Sequence, residues 1–90
     1  MTFYYKILIR IYRNGNKQSA PETVEAYVMA GNTAQAYQKA QAIKSRLDNV
    51  RSSDTVVCTR KDVICRLKQQ ALAEIASGVR LYEEPLPDNG

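Results

Sequence analysis

The sequence of 90 residues contains no histidine and no tryptophan, and its only cysteines are Cys58 and Cys65. Without histidine, a serine or cysteine nucleophile lacks its most common activating base. Two cysteines with no second pair and no histidine do not match the spacing of zinc ligands. Gly15 and Gly31 each stand alone in a turn, so the chain has no glycine-rich phosphate-binding motif. We therefore expect a protein that is not an enzyme and that has no catalytic residues, no metal and no cofactor.

Long hydrophobic runs are also missing. Phe3–Tyr12 is rich in apolar residues, but Lys6 and Arg10 interrupt it, and it has about half the length of a membrane-spanning helix. The first residues lack the basic region, apolar run and cleavage site of a secretory signal. These observations predict a cytoplasmic protein that does not enter a membrane. Both thiols are expected to be reduced and to be buried as small hydrophobic side chains.

The composition is typical of one small globular domain. Apolar residues make up 44% of the chain, which is ordinary for a folded protein and sufficient for a single core. Pro85 and Pro87 end regular structure, so we expect a single domain over residues 1–84 and a loose tail over residues 85–90. Six tyrosines stand against one phenylalanine. Because tyrosine combines an apolar ring with a polar tip, it suits half-buried sheet faces and contact surfaces.

A change of hydrophobic period in the middle of the chain predicts a strand that runs directly into a helix. Apolar residues alternate over Thr23–Ala30, as in a strand, and recur every three to four positions over Thr33–Asp48, as on one face of a helix. Gly31 permits the turn between them. Asn32 is expected to cap the first N–H groups of the helix while Gln35 reaches back.

Three further segments have the pattern of strands. β-Branched residues at alternate positions predict strands at Phe3–Arg13 and Thr55–Thr59, and a last short strand is predicted at Val79–Glu83. The Asn14–Gly15 dipeptide is a turn signal, but polar residues and Pro21 follow it. We therefore expect a long hairpin loop after the first strand, with pairing resumed near residue 23.

The segment after Thr59 allows two interpretations. Asp62 can cap a second helix, or residues 60–62 can form a turn that leads into a strand at Val63–Leu67. Helical spacing of apolar side chains favours the helix, with Gly78 as its end. The apolar residues that keep this spacing are Ile64, Leu67, Ala71 and Ile75.

Together these elements predict an α+β domain in the order β-β-α-β-α-β, with one sheet of three to four strands and two helices on one face of it. The opposite face would then be open to solvent. Strand parity places a set of aromatic and basic side chains on that face, with Met29 beside them. They are Tyr4, Lys6, Arg10, Tyr12, Tyr27, Arg80 and Tyr82.

The formal net charge is +4, and the cations concentrate between Lys39 and Lys68. Within that stretch, Arg60 and Lys61 lie beside the predicted start of the second helix, where backbone N–H groups also attract anions. A basic rim of this kind can bind an anionic partner, although it can equally be an ordinary solvated surface. The other cations of the rim are Arg46, Arg51, Arg66 and Lys68.

The predicted function is that of a small non-enzymatic binding protein, of adaptor or inhibitor type. It would dock on a macromolecular partner through the open Tyr/Arg/Lys face or the basic rim. Tyrosine and arginine are enriched at protein interfaces, so a protein partner with an acidic or nucleic-acid-handling surface is favoured. Direct binding of single-stranded nucleic acid by the same face is the alternative.

The tyrosines can also serve only to cover the sheet. The layout occurs in many small stand-alone proteins, including accessory proteins of mobile elements, and fits a monomer or a homodimer.

Overall fold

The computed structural model of the chain describes residues 1–16, 18–50 and 53–82. The predicted tail, residues 85–90, and the predicted domain limit at residue 84 lie outside these ranges. The described residues form an α+β domain with two α-helices and one mostly antiparallel sheet of five strands, which confirms the predicted fold class. The elements are β1 (Phe3–Tyr12), β2 (Glu22–Ala30), α1 (Thr33–Val50), β3 (Thr55–Val57), β4 (Val63–Arg66), α2 (Lys68–Ala76) and β5 (Arg80–Tyr82).

β1 is the central strand, and its side chains alternate strictly between the two faces of the sheet. It pairs antiparallel with β2 along nearly its whole length, from Phe3 opposite Ala30 to Ile11 opposite Glu22. Its other edge pairs antiparallel with β3 at one end and with β4 at the other. β5 joins the outer edge of β2 and is parallel to it. The sheet therefore runs from β3 and β4, through β1 and β2, to β5.

The link between β2 and α1 forms as the sequence predicts. The side-chain oxygen Oδ1 of Asn32 accepts a hydrogen bond of 2.9 Å from the backbone N–H of Gln35. The backbone N–H of Gly31 donates to Oε1 of Gln35 at 2.8 Å. These two bonds satisfy donors at the start of the helix that would otherwise have no partner. The predicted strand, turn and cap are confirmed, and α1 extends two residues beyond its predicted end at Asp48.

The segment after β3 follows the interpretation that the sequence ranked second. Residues Arg60–Asp62 form one turn of 3₁₀ helix, Val63–Arg66 form β4, and α2 begins only at Lys68. The prediction that Asp62 caps the second helix is wrong, because Asp62 closes the 3₁₀ turn instead. The element order is consequently β-β-α-β-β-α-β, with five strands instead of the expected three to four.

The two helices lie on opposite faces of the sheet, and the prediction that they share one face is wrong. α1 packs on the face that carries Ile7, Ile9 and Val28. α2 packs on the reverse face, where Glu74 contacts Lys6 and where Tyr27 is buried. Both crossover connections, β2–α1–β3 and β4–α2–β5, link parallel strands, but they travel across the sheet in opposite directions. Because such connections are almost always right-handed, opposite directions place their helices on opposite faces.

The position of β5 also reverses a prediction. Arg80 lies opposite Ala26 and Tyr82 lies opposite Val28, so both side chains share the face of α1. Tyr82 packs against the core of that face, and Leu81 lies opposite Tyr27 on the reverse face. The prediction that Arg80 and Tyr82 lie on the reverse face is therefore wrong. The alternation of β5 is out of phase by one residue, and such a shift moves every side chain of a strand to the other face. Neither helix within the described ranges is long and apolar enough to cross a bilayer.

Candidate functional site

The reverse face of the sheet, which the sequence predicts as the docking surface, is partly covered by α2. Tyr27 is fully buried, with 0% of its surface exposed, and so cannot contact a partner. Burial raises the pKa of the Tyr27 hydroxyl, and the neighbouring carboxylate of Glu74 raises it further. Within the described residues this hydroxyl is buried without a hydrogen bond of normal geometry. Tyr27 is therefore a packing residue beneath α2.

Lys6 is held between two carboxylates. Its Nζ atom lies 2.6 Å from Oε1 of Glu25 and 2.6 Å from Oε1 of Glu74, and only 12% of its side chain is exposed. Hydrogen bonds to Glu25 and then to Glu74 raise the pKa of Lys6 above its ordinary value. The positive charge of Lys6 thus links β1 and β2 to α2 and is already neutralised inside the protein.

Arg10 is also engaged within the fold. Its Nη2 atom lies 2.5 Å from Oδ2 of Asp62, which is 6% exposed. The same carboxylate oxygen accepts the backbone N–H of Thr59 at 2.9 Å and the Thr59 hydroxyl at 2.7 Å. Burial alone would raise the pKa of Asp62, but the Thr59 donors and the Arg10 guanidinium outweigh it, so the pKa lies below its ordinary value. This cluster holds the 3₁₀ turn against β1.

Beyond Lys6 the reverse face continues as a strip that α2 leaves less covered. Tyr12 is half-buried there, and Tyr4 is half-buried at the other end of β1, opposite Met29 and Arg66. The strip contains both polar and apolar side chains, and one of them is a tyrosine. By register its members are Leu8, Arg10, Tyr12, Thr23, Glu25, Thr55 and Val57. The structure therefore does not bring the predicted aromatic and basic residues together on one open face.

Two predicted arginines lie over aromatic rings of the α1 side. The guanidinium carbon of Arg80 is 4.7 Å from the ring centre of Tyr82, and that of Arg60 is 5.6 Å from the ring centre of Tyr37. Both distances are within the range of cation–π attraction. Arg60 thereby connects the 3₁₀ turn to α1.

Four basic side chains lie along the edge of the sheet formed by the 3₁₀ turn and β4. Of the six cations predicted for the basic rim, these four lie together, and the name basic rim is kept below for them alone: Arg60, Lys61, Arg66 and Lys68. Lys61 and Lys68 are exposed, and no ion pair involves them in the part of the chain that the structure describes. The only carboxylate of this segment is Asp62, which is turned inward toward Arg10. The basic rim therefore presents positive charge that nothing on the same segment neutralises.

Two exposed apolar side chains lie within the basic rim, and the sequence reasoning missed them. Ile64 is 37% exposed and Leu67 is 71% exposed. Their helical spacing predicts that both lie in the second helix, whereas Ile64 lies in β4 and Leu67 precedes α2. The β-branched run Val63–Ile64 was the signal that pointed to a strand here. Of the other predicted rim cations, Arg46 is exposed on α1, on the helix face opposite Tyr37, and Arg51 lies outside the described residues.

The two cysteines are free thiols in different environments. Cys58 is buried in the α1-side core, whereas Cys65 is exposed on β4, so the prediction that both are buried is wrong for Cys65. Burial raises the pKa of Cys58, and the nearby Asp62 carboxylate raises it further. No group of three potential ligand residues that could hold a metal ion is found among the described residues.

A thiol reagent is therefore expected to modify the native protein in two phases. Cys65 should react fast because it is exposed. The rate for Cys58 should be at least about a hundredfold lower, because its reaction requires local opening and a deprotonated thiol. The measurement is absorbance at the product wavelength over time, with Cys65→Ser as the control that removes the fast phase. Two equally fast thiols would contradict the burial of Cys58.

Comparison with protein-family models, with curated proteins and with solved structures finds no match to this chain.

Proposed function

We propose that this protein is a small non-enzymatic binding protein of adaptor or inhibitor type that docks on an acidic surface of a protein partner through the basic rim. The observation that carries this proposal is the combination of unpaired cations with exposed apolar side chains on one edge. Lys61 and Lys68 supply positive charge, and Ile64 and Leu67 supply apolar area between them. Interfaces of protein complexes combine charge that steers association with apolar side chains that are buried on contact.

The same geometry favours a protein over a single-stranded nucleic acid. Single-strand binders stack bases on exposed aromatic rings beside free cations. Here Tyr27 is buried, while Tyr37 and Tyr82 each lie under an arginine. The cations of the reverse face, Lys6 and Arg10, are paired with carboxylates of the protein itself. These contacts favour a protein partner over stacked bases, and direct nucleic-acid binding is the second candidate.

We also infer that the protein acts in a reducing compartment, the cytoplasm. Both cysteines are free thiols, and one of them is exposed on β4. Exposed free thiols persist where glutathione and thioredoxin keep cysteine reduced.

Charge reversal on the basic rim tests the proposed function. Wild type, Lys61→Glu and Arg46→Glu are immobilised and exposed to an extract of the producing cells, with and without nuclease treatment. Lys61→Glu should retain about tenfold less of a discrete partner than wild type, because it reverses charge where the partner docks. Arg46→Glu makes the same change of net charge at an exposed position on the far side of α1, and it should retain the partner.

Two outcomes would overturn this proposal. Equal losses in Lys61→Glu and Arg46→Glu would mean that net charge, and not the basic rim, controls binding. A partner that disappears after nuclease treatment, together with salt-sensitive binding of a labelled single-stranded oligonucleotide to the purified protein, would establish the nucleic-acid alternative instead.

A further inference from the structure

β4 is an edge strand of the sheet in the part of the chain that the structure describes. It pairs with β1 on one side, and no other described strand pairs with it. Ile64 and Cys65 in its middle are both exposed. A strand with an unpaired edge offers backbone N–H and C=O groups that can pair with another extended chain.

We propose that β4 binds an extended acidic segment of the partner as an additional strand of the sheet. This inference rests on the proposed function and adds to it the mode of binding and the chemistry of the bound segment. The 3₁₀ turn at Arg60–Asp62 separates β4 from β3, so the paired length is restricted to about the four residues of β4. The bound segment is therefore short.

The charges beside β4 disfavour a second copy of this chain as the occupant. If two β4 strands paired antiparallel about their centres, Ile64 of one copy would lie opposite Cys65 of the other. The same register would bring Lys61 of each copy toward Lys68 of the other, at both ends of the contact. Like charges placed opposite each other destabilise strand pairing. A segment with carboxylates at its ends is attracted by the same two lysines, so charge complementarity selects an acidic occupant.

The alternation of β4 determines which side chains the bound segment meets. Val63 lies on the α1 face and is buried, whereas Ile64 and Arg66 lie on the reverse face. An apolar side chain in the middle of the bound segment would pack beside Ile64, which is 37% exposed. Carboxylates about six positions apart would reach toward Lys61 at one end and Lys68 at the other. The expected ligand is thus an extended segment with an apolar centre and an acidic residue at each end.

A synthetic peptide tests this inference with the full chain. The probe is a fluorescently labelled heptapeptide, Glu-Thr-Val-Thr-Val-Thr-Glu, titrated with wild type, Lys61→Glu and Arg46→Glu by fluorescence anisotropy. Wild type and Arg46→Glu should bind it alike, and Lys61→Glu should bind about tenfold more weakly. A peptide with lysine at both ends should not bind.

The backbone of the peptide supplies the readout that is specific to strand addition. N-methylation of the alternate residues that face β4 removes N–H donors and should weaken binding about tenfold or more, whereas N-methylation of the intervening residues should leave it unchanged. At saturating peptide, the outward-pointing amides of β4 should exchange with deuterium more slowly, while the amides of β5 at the other edge of the sheet should not change.

The outcomes separate this inference from the proposed function. Absence of binding up to about 1 mM peptide, or binding that is insensitive to both N-methylation patterns, overturns strand addition. If Lys61→Glu still loses the captured partner in either case, docking through the basic rim stands. If Lys61→Glu neither loses the partner nor binds the peptide more weakly than Arg46→Glu, both the inference and the proposed function fail.

Discussion

Tyr27→Ala is expected to lower the free energy of unfolding by about 3–5 kcal/mol, whereas Tyr27→Phe should change it by less than about 0.5 kcal/mol. The alanine variant removes a fully buried ring between the sheet and α2, which leaves a cavity. The phenylalanine variant keeps the ring and removes only a buried hydroxyl that lacks a hydrogen bond of normal geometry. The measurement is urea denaturation followed by circular dichroism, with the midpoint and slope fitted for each variant.

Tyr12→Ala is the matched control for this prediction. Tyr12 lies on the same face of the sheet as Tyr27 but is only half-buried, so its removal should cost clearly less. If Tyr27→Ala costs no more than Tyr12→Ala, then α2 does not cover Tyr27 in solution. The reverse face would in that case be open, and the tyrosine-bearing docking surface would again be a candidate.

Asp62→Ala is expected to lower the free energy of unfolding by about 3 kcal/mol at neutral pH. The substitution removes one carboxylate oxygen that accepts the Arg10 guanidinium, the Thr59 N–H and the Thr59 hydroxyl together. It leaves these donors without their acceptor where the 3₁₀ turn meets β1. Asp48→Ala is the control, because Asp48 makes a partly exposed pair with Lys44 at 3.0 Å and should cost only about 0.5 kcal/mol.

The contribution of Asp62 to the free energy of unfolding should also depend on pH, and it should decrease at low pH. The pKa of Asp62 is lower in the folded chain than in the unfolded chain, so the unfolded chain binds more protons between the two values. The stabilisation is therefore complete above the unfolded pKa of about 3.9, and it is lost as the pH falls through the folded pKa. The difference between the denaturation midpoints of wild type and Asp62→Asn should therefore begin to shrink as the pH falls below about 4. A difference that does not shrink as the pH falls below that value would show that Asp62 is not selectively stabilised as a carboxylate.

The parts of the fold that the sequence predicted correctly depend on neighbouring residues. β1 and β2 follow from alternation, and the turn into α1 follows from Gly31, Asn32 and Gln35, whose hydrogen bonds span three or four positions. Interactions of this range are encoded by the order of residues alone. The α+β class followed from the same local patterns.

For the segment after Thr59, the sequence is compatible with two structures, a helix or a turn followed by a strand. Ile64, Leu67, Ala71 and Ile75 have helical spacing, yet Val63–Arg66 form a strand. The decisive partner is the free edge of β1 at Tyr4–Ile7, which lies about sixty positions earlier in the chain. Pairing with that edge satisfies backbone groups and buries Val63, and this outweighs the local preference for a helix.

Some features of the candidate site were predictable from the sequence, and others depend on the fold. Arg60 and Lys61 were identified from the sequence because a local excess of cations is visible without a structure. The exposure of Ile64 and Leu67 was not, because it depends on the position of β4 at the edge of the sheet. Nor did the sequence indicate that Lys6 and Arg10 are neutralised by Glu74 and Asp62, since these carboxylates lie 68 and 52 positions away.

Residue order by itself determined the central hairpin, the capped first helix and the excess of positive charge, because each depends on residues close together in the chain. Only the tertiary structure decided which face of the sheet each helix covers. That choice depends on the edge at which each crossover ends, and right-handed crossovers that travel in opposite directions must lie on opposite faces. With α2 on the reverse face, Tyr27 is part of the interior, and the surface that we propose for a partner is therefore the basic rim beside β4.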